Sequence, residues 1–228
     1  MKHRNLLAAT AMLGLAVIAT PAAAQSETVG IKAGDVLLRV RAIVVAPNET
    51  TSGIRPTFPS EHASVNNSVM PEVDLTYMAT DNIGFELIAA TTKHTASGTS
   101  GTTGGIGKLA STWVLPPTLT AQYHFNPEGH VRPYVGAGVN YTIFIDEKAS
   151  SGLVSAVGPT RVHMSDSVGW AGQAGIDVDI SRRVFLNLDV KYIKIATKAT
   201  LATTAIGTQT MMVHLDPLVF GVGLGIRL

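Results

Sequence analysis

Between residues 34 and 228 the chain divides into eight stretches in which apolar and polar side chains alternate, joined by connections of two unequal sizes. A strand sends successive side chains to opposite faces, so sustained alternation gives one lipid face and one lumen face. Each stretch has about ten residues or more, the length a tilted strand needs to cross a bilayer. The expected fold is all-β, an eight-stranded antiparallel transmembrane barrel, and function must lie in what such a barrel passes or displays.

Strand one is expected over residues 35–45, with Val36, Leu38, Val40, Ala42 and Val44 on one face and Arg39 and Arg41 on the other. An arginine facing lipid at mid-bilayer costs roughly 2 to 4 kcal/mol, so both belong in the lumen. The next two strands form a hairpin. Val73, Leu75, Tyr77 and Ala79 face out, residues 80–82 turn, and Ile83, Phe85, Leu87 and Ala89 face out again, leaving Asp74 and Glu86 inward. Leu119, Ala121, Tyr123 and Phe125 mark the outer face of strand four, and Val135, Ala137, Val139 and Tyr141 that of strand five, whose Gly136 and Gly138 suit a narrow interior. Strand six sets Val168, Trp170, Ala174, Ile176 and Val178 against inward Gln173, Asp177 and Asp179. Strand seven sets Leu186, Leu188, Val190 and Tyr192 against Asn187, Asp189 and Lys191. The last strand alternates Leu218, Phe220, Val222, Leu224, Ile226 and Leu228 with three glycines and Arg227.

The connections after strands two, four and six are short. Those at residues 47–69, 93–111, 145–167 and 197–212 are long, and the Ser/Thr/Gly-rich segment 95–107 reads as a mobile loop. Short turns belong to the periplasm and long loops to the exterior, which puts both mature termini in the periplasm. Tyr77, Tyr123, Phe125, Trp170, Tyr192 and Phe220 are candidates for the interfacial girdles.

Composition adds the address. Lys2 and Arg4, an apolar core at residues 6–18 and Ala22-Ala23-Ala24 have the order of a secretory signal peptide over residues 1–24, leaving a single barrel domain at 25–228. The mature chain carries 15 basic and 16 acidic side chains, no electrostatic ground for binding nucleic acid. Without cysteine, disulfides and thiolate chemistry are excluded. No later apolar run approaches the roughly 18 to 20 residues of a spanning helix.

Several segments resemble the outer membrane protein W family. They are Thr76-Tyr77-Met78-Ala79-Thr80-Asp81-Asn82-Ile83-Gly84 with Glu86-Leu87, Leu115-Pro116-Pro117-Thr118-Leu119, Arg132-Pro133-Tyr134-Val135-Gly136-Ala137-Gly138 with Asn140-Tyr141-Thr142, Trp170-Ala171-Gly172-Gln173, and Leu215-Asp216-Pro217 with Val219-Phe220. The resemblance implies a monomeric outer-membrane barrel, inserted by the barrel assembly machinery into outer-membrane lipid. It would passively admit small hydrophobic solutes through an apolar funnel and release them sideways, with no cofactor. Matching the motifs places a constriction at Ile88 and Lys191. The lysine is a departure, because an aromatic can stand there, and so is the terminal Leu228 in place of an aromatic.

Three candidate chemistries remain. The inward charges Arg39, Arg41, Lys191 and Arg227 against Asp74, Glu86, Asp177, Asp179 and Asp189 either line a polar path or pair into a plug. Pro116 and Pro117 cannot donate ladder hydrogen bonds and mark either a lateral opening or a strand start. His163, Ser165 and Asp166 supply the residue types of a hydrolytic triad but are sequence neighbours, which rarely reach its geometry, so no enzyme is expected. The rival to a channel is a closed barrel serving structure or surface display: stress resistance, adhesion, or reception of phage or toxins.

Overall fold

The computed structural model describes residues 30–228; the expected signal peptide lies outside the described residues. In chain order the strands are β1 (Val36–Ala46), β2 (Thr50–Thr51), β3 (Ala63–Val65), β4 (Ser68–Met78), β5 (Ile83–Ala90) and β6 (Thr92–Gly98), followed by helix α1 (Gly101–Ile106). Then come β7 (Lys108–Leu115), β8 (Thr118–His124), β9 (Val131–Ala149) and helix α2 (Ser151–Val157). The chain closes with β10 (Thr160–Met164), β11 (Ser167–Asp179), β12 (Val184–Ile193), β13 (Ala196–Thr203), β14 (Gly207–His214) and β15 (Leu218–Arg227).

Eight of these strands form a closed antiparallel ring in the order β1, β4, β5, β8, β9, β11, β12, β15 and back to β1. Closure is what a bilayer demands, since an open edge would leave N–H and C=O groups without partners in hydrocarbon. Leu38 pairs with Ile226, so both ends of the described chain lie at one end of the barrel, here the terminal end. The alternation expected from the sequence holds on every ring strand. Val40, Leu75, Phe85, Leu119, Val139, Leu188 and Phe220 are exposed to the lipid side, and Arg39, Asp74, Glu86, Asp177 and Asn187 are buried within.

At the other end, the loop end, the expected long loops are built instead of strands and helices. Residues 143–149 of β9 rise out of the ring and pair with β7, which pairs with β6, which pairs with β3. A second sheet, β10-β13-β14-β2, faces this first one. The segment 95–107 is therefore ordered, contrary to its reading as a mobile loop. Its anchor is distant in sequence: the Glu61 carboxylate accepts the backbone N–H groups of Thr102 at 2.9 Å and Thr103 at 2.7 Å. Between the two sheets sits the main apolar core, including Ile54, Leu109, Phe144, Met211 and Val213, and Leu153 and Val157 of α2 join it.

A smaller core of Ile31, Leu37, Met78 and Phe185 closes the terminal end, where the Ile31 N–H bonds the Pro127 carbonyl at 2.7 Å. Glycines supply the room that large inward side chains need. A Cβ on Gly225 would stand 2.2 Å from the Phe185 ring, and one on Gly175 would stand 2.4 Å from the Tyr134 ring. Gly225→Val should therefore overpack the lumen and destabilise the barrel by about 1–3 kcal/mol, read as a lowered urea midpoint for unfolding from lipid bilayers; an unchanged midpoint would show that Phe185 can move aside.

Candidate functional site

Two ring strands show the layering of the lumen, with inward residues apolar at the terminal end, polar in the middle and apolar at the loop end. On β1 the order is Leu37, Arg39, Arg41, Ile43, Val45, and on β12 it is Phe185, Asn187, Asp189, Lys191, Ile193, all buried. Antiparallel register brings like layers to the same height, so a charged layer forms across the lumen with an apolar chamber above it.

The charged layer is densely paired. Arg39 reaches Asp74 at 3.0 Å, Asp177 at 3.1 Å and Glu86 at 3.5 Å. Arg41 reaches Asp74 at 2.7 Å, Glu72 at 2.8 Å, Glu86 at 3.5 Å and Asp189 at 3.7 Å. Lys191 lies 2.9 Å from Glu72 and 2.5 Å from Asp189. Five carboxyl groups thus surround three cations, and neutral donors supply hydrogen bonds that the cations do not. Gln173 and Thr120 donate to Glu86 at 2.6 and 3.1 Å, Asn187 to Asp177 at 2.8 Å, and Tyr134 to Asp189 at 3.1 Å. The Arg39 guanidinium also sits 5.5 Å from the centres of both the Tyr134 and Phe185 rings, a cation–π arrangement. Buried ions persist only when so compensated. Each charge of the layer thus has an opposite charge within 4 Å.

Not every expected member belongs to it. Asp179 pairs separately with Arg132 at 2.6 Å, nearer the terminal end. Arg227 sits at the rim, 4.0 Å from Asp35 and donating to the Arg182 carbonyl, so its place in the plug is corrected. Sequence reasoning passed over Glu72, which bonds both Arg41 and Lys191. Pro71 beside it reads as a strand breaker, yet β4 continues through it, because beyond Glu72 the strand no longer pairs with β5 and a free edge tolerates proline.

The apolar space above has two parts, of about 70 Å³ and about 40 Å³. The lower is lined by Ile43, Ile88, Val114, Ile193 and Val219, with Glu72 at its floor. Ile88 is thus a wall of the chamber, whereas Lys191 lies a layer below, bound to its acids. Pro116 lines the same chamber. Beside it the β5–β8 ladder ends at Ile88 and Thr118, and pairing resumes at Thr92 and Val114 of β6 and β7. Residues 89–91 and 115–117 face each other across this break without ladder pairs, and β9 bridges it by pairing with both β7 and β8. The Tyr141 N–H bonds the Pro117 carbonyl at 3.0 Å, so the prolines remain tied to β9 while presenting no donor toward β5.

The residues of the hydrolytic reading do not converge. His163 points at Glu147, 3.7 Å away, the Ser165 hydroxyl accepts the Lys198 N–H at 2.9 Å, and Asp166 accepts the Tyr141 hydroxyl at 2.9 Å. No cluster able to hold a metal ion occurs among the described residues.

The sequence pattern of the OmpW family matches residues 32–228, nearly the whole described chain. The chain belongs to the OmpW family. Outer membrane protein W of Vibrio cholerae is 36% identical over 94% of this chain and 97% of its own length, and that of Escherichia coli K12 is 37% identical over 94% and 98%. Among solved structures, the outer membrane protein OprG from Pseudomonas aeruginosa superposes with a TM-score of 0.83 at 31% identity, covering 89% of this chain and 99% of its own. The E. coli OmpW solution structure gives 0.56 at 36% identity, covering 86% and 99%. AlkL, at 0.64 and 19% identity over 92% and 97%, shares the fold. This OmpW-family chain is an outer-membrane β-barrel and resides in the outer membrane, where its exposed apolar band meets lipid.

Two substitutions separate the charged layer from the rim. Arg41→Met would strip Glu72, Asp74 and Asp189 of a shared cation and should cost about 3–5 kcal/mol, whereas Arg227→Met should stay within about 0.5 kcal/mol. Urea unfolding in bilayers measures both, and equal effects would refute the layered assignment.

Proposed function

We propose that this barrel is a passive outer-membrane conduit for small, mainly hydrophobic molecules, which enter the apolar chamber from the loop end and leave sideways into the membrane. The observation that carries the reading is the position of the ladder break. An apolar chamber ends on a layer of ion pairs, and the wall beside that dead end is the place where residues 89–91 and 115–117 make no ladder pairs with each other. A solute that cannot cross the charged layer has the broken wall as its outlet. Hydrocarbon then favours its departure, since apolar surface gains by staying out of water.

In this reading Ile88 sets the width of the chamber and Pro116 and Pro117 keep the wall from zipping shut. Lys191 holds the floor of the chamber through Glu72 and Asp189. The short turns face the periplasm, as do both termini. Substrate selection rests on size and apolarity, with no cofactor and no covalent step.

A closed barrel for structure or surface display is the second reading. Two observations favour it: the ion-paired layer seals the axis, and α2 packs Leu153 and Val157 onto the core at the loop end. Uptake decides between the two. Cells with and without the protein, at matched outer-membrane levels, should differ in uptake of a small apolar probe and not of a hydrophilic one of similar size; equal rates for both probes would favour the closed barrel. Ile88→Trp should reduce the apolar uptake several-fold without impairing assembly. Replacing both Pro116 and Pro117 with valine, which restores two backbone donors, should slow it as well, and undiminished uptake in that double variant would remove the ladder break from the route.

A further inference from the structure

The upper and lower chambers meet at a neck of His94, Val114 and Leu215, which line both. A line of hydrogen bonds runs through it. His94 Nδ1 lies 2.9 Å from the Asn66 carbonyl oxygen, and because a carbonyl only accepts, Nδ1 carries the proton. Nε2 lies 3.0 Å from the Thr92 hydroxyl. In the neutral ring Nε2 accepts, so the single proton of Thr92 is committed to it. Both residues stand on β6, beyond the eight spanning strands, and burial holds the His94 pKa below its ordinary value, which keeps the ring neutral at pH 7.

Thr92 is left with acceptor capacity alone, and it lines the lower chamber. The other threonines lining the two chambers are in the same condition. Thr118 donates to the Pro116 carbonyl at 2.9 Å, Thr112 to the Ile145 carbonyl at 3.0 Å, and Thr51 to the Ala63 carbonyl at 3.4 Å. Glu72 at the floor accepts from Lys191. The hydroxyl and carboxylate groups lining the lower chamber are thus turned toward accepting.

We propose that Thr92 Oγ1, oriented by His94, is a specificity-determining acceptor, and that the chamber prefers apolar solutes bearing one hydrogen-bond donor, a hydroxyl or ring N–H, over isosteres that bear none or only an acceptor. The inference rests on the conduit reading above. A donor that leaves water for an apolar chamber loses a hydrogen bond unless the wall returns one. A solute carbonyl would meet only lone pairs at Thr92. His94 acts here as a positioning residue, because it decides which way the Thr92 proton points.

Phenol, toluene and benzaldehyde are probes of similar size that differ in this one respect. The wild-type protein should accelerate phenol about five-fold more than toluene, the ratio a single neutral hydrogen bond gives, with benzaldehyde no better than toluene. Thr92→Val should bring the phenol-to-toluene ratio near one. His94→Leu frees the Thr92 proton to donate and should shift the preference from phenol toward benzaldehyde, an inversion that loss of packing alone would not produce. Heat-modifiable migration in electrophoresis verifies that each variant folds. In the folded wild-type protein in micelles, the ¹⁵N resonance of His94 Nε2 should move on titration with phenol and stay still with toluene. A phenol-to-toluene ratio unaltered by Thr92→Val, or an Nε2 resonance indifferent to phenol, overturns this inference and leaves the conduit standing. Wild-type protein that accelerates none of the three overturns the conduit reading as well.

Discussion

The ion-paired layer around Arg39 and Arg41 is the interaction on which the rest of this barrel depends. Eight strands enclose an interior barely wide enough for side chains, so whatever points inward must pack and whatever is charged must find its counterion there. Three cations hold five carboxyl groups together with Gln173, Thr120, Asn187 and Tyr134. The partners come from seven ring strands, β1, β4, β5, β8, β9, β11 and β12, and the glycines of β15 complete the circle by making room for Arg41 and Phe185. The layer therefore ties the staves together at one height. Its composition favours arginine over lysine at the centre, because a planar guanidinium can serve several carboxylates at once.

The charged layer gives the loop end its meaning. Above the charged layer Ile43, Ile88, Ile193 and Val219 line an apolar chamber, and the two sheets that extend the barrel enclose an apolar core between them. In the proposed conduit the ion pairs below leave the wall as the place for a passage. Its weak point coincides with two prolines that cannot close a ladder and with a neighbouring strand, β9, long enough to hold both sides of the break. Across the interrupted ladder β9 carries the continuity by pairing with both β7 and β8.

The family motifs become intelligible as parts of this arrangement. Leu215-Asp216-Pro217 lies where β14 hands over to β15, and Asp216 there accepts the Ile195 N–H at 3.1 Å and the Lys194 ammonium, stitching across a bend that the ladder alone does not cover. Gly136 and Gln173, two residues of separate motifs, meet in the lumen, where a Cβ on Gly136 would stand 3.0 Å from the Gln173 side chain that supports Glu86. The extension is similarly cross-linked over long sequence distances, as in the grip of Glu61 on the start of α1.

What the sequence determined by itself was the ring: the number of its strands, the lipid and lumen face of each, and the inward placement of Arg39, Asp74, Glu86, Asp177 and Asp189. A two-residue period is a local property, and the cost of a charge in lipid sorts the faces without any knowledge of neighbours. The outer membrane as the destination was legible for the same reason. Tertiary structure alone decided the rest. The outer segments carry Ser, Thr and Gly that read as loop, and they are ordered only by sheet pairing with strands far along the chain and by a carboxylate some forty residues away. Glu72 and Lys191 became partners, and Arg227 was left at the rim, because register across the closed ring sets which inward residues share a height. That register is fixed by the closure of all eight strands at once, which no single stretch of sequence contains.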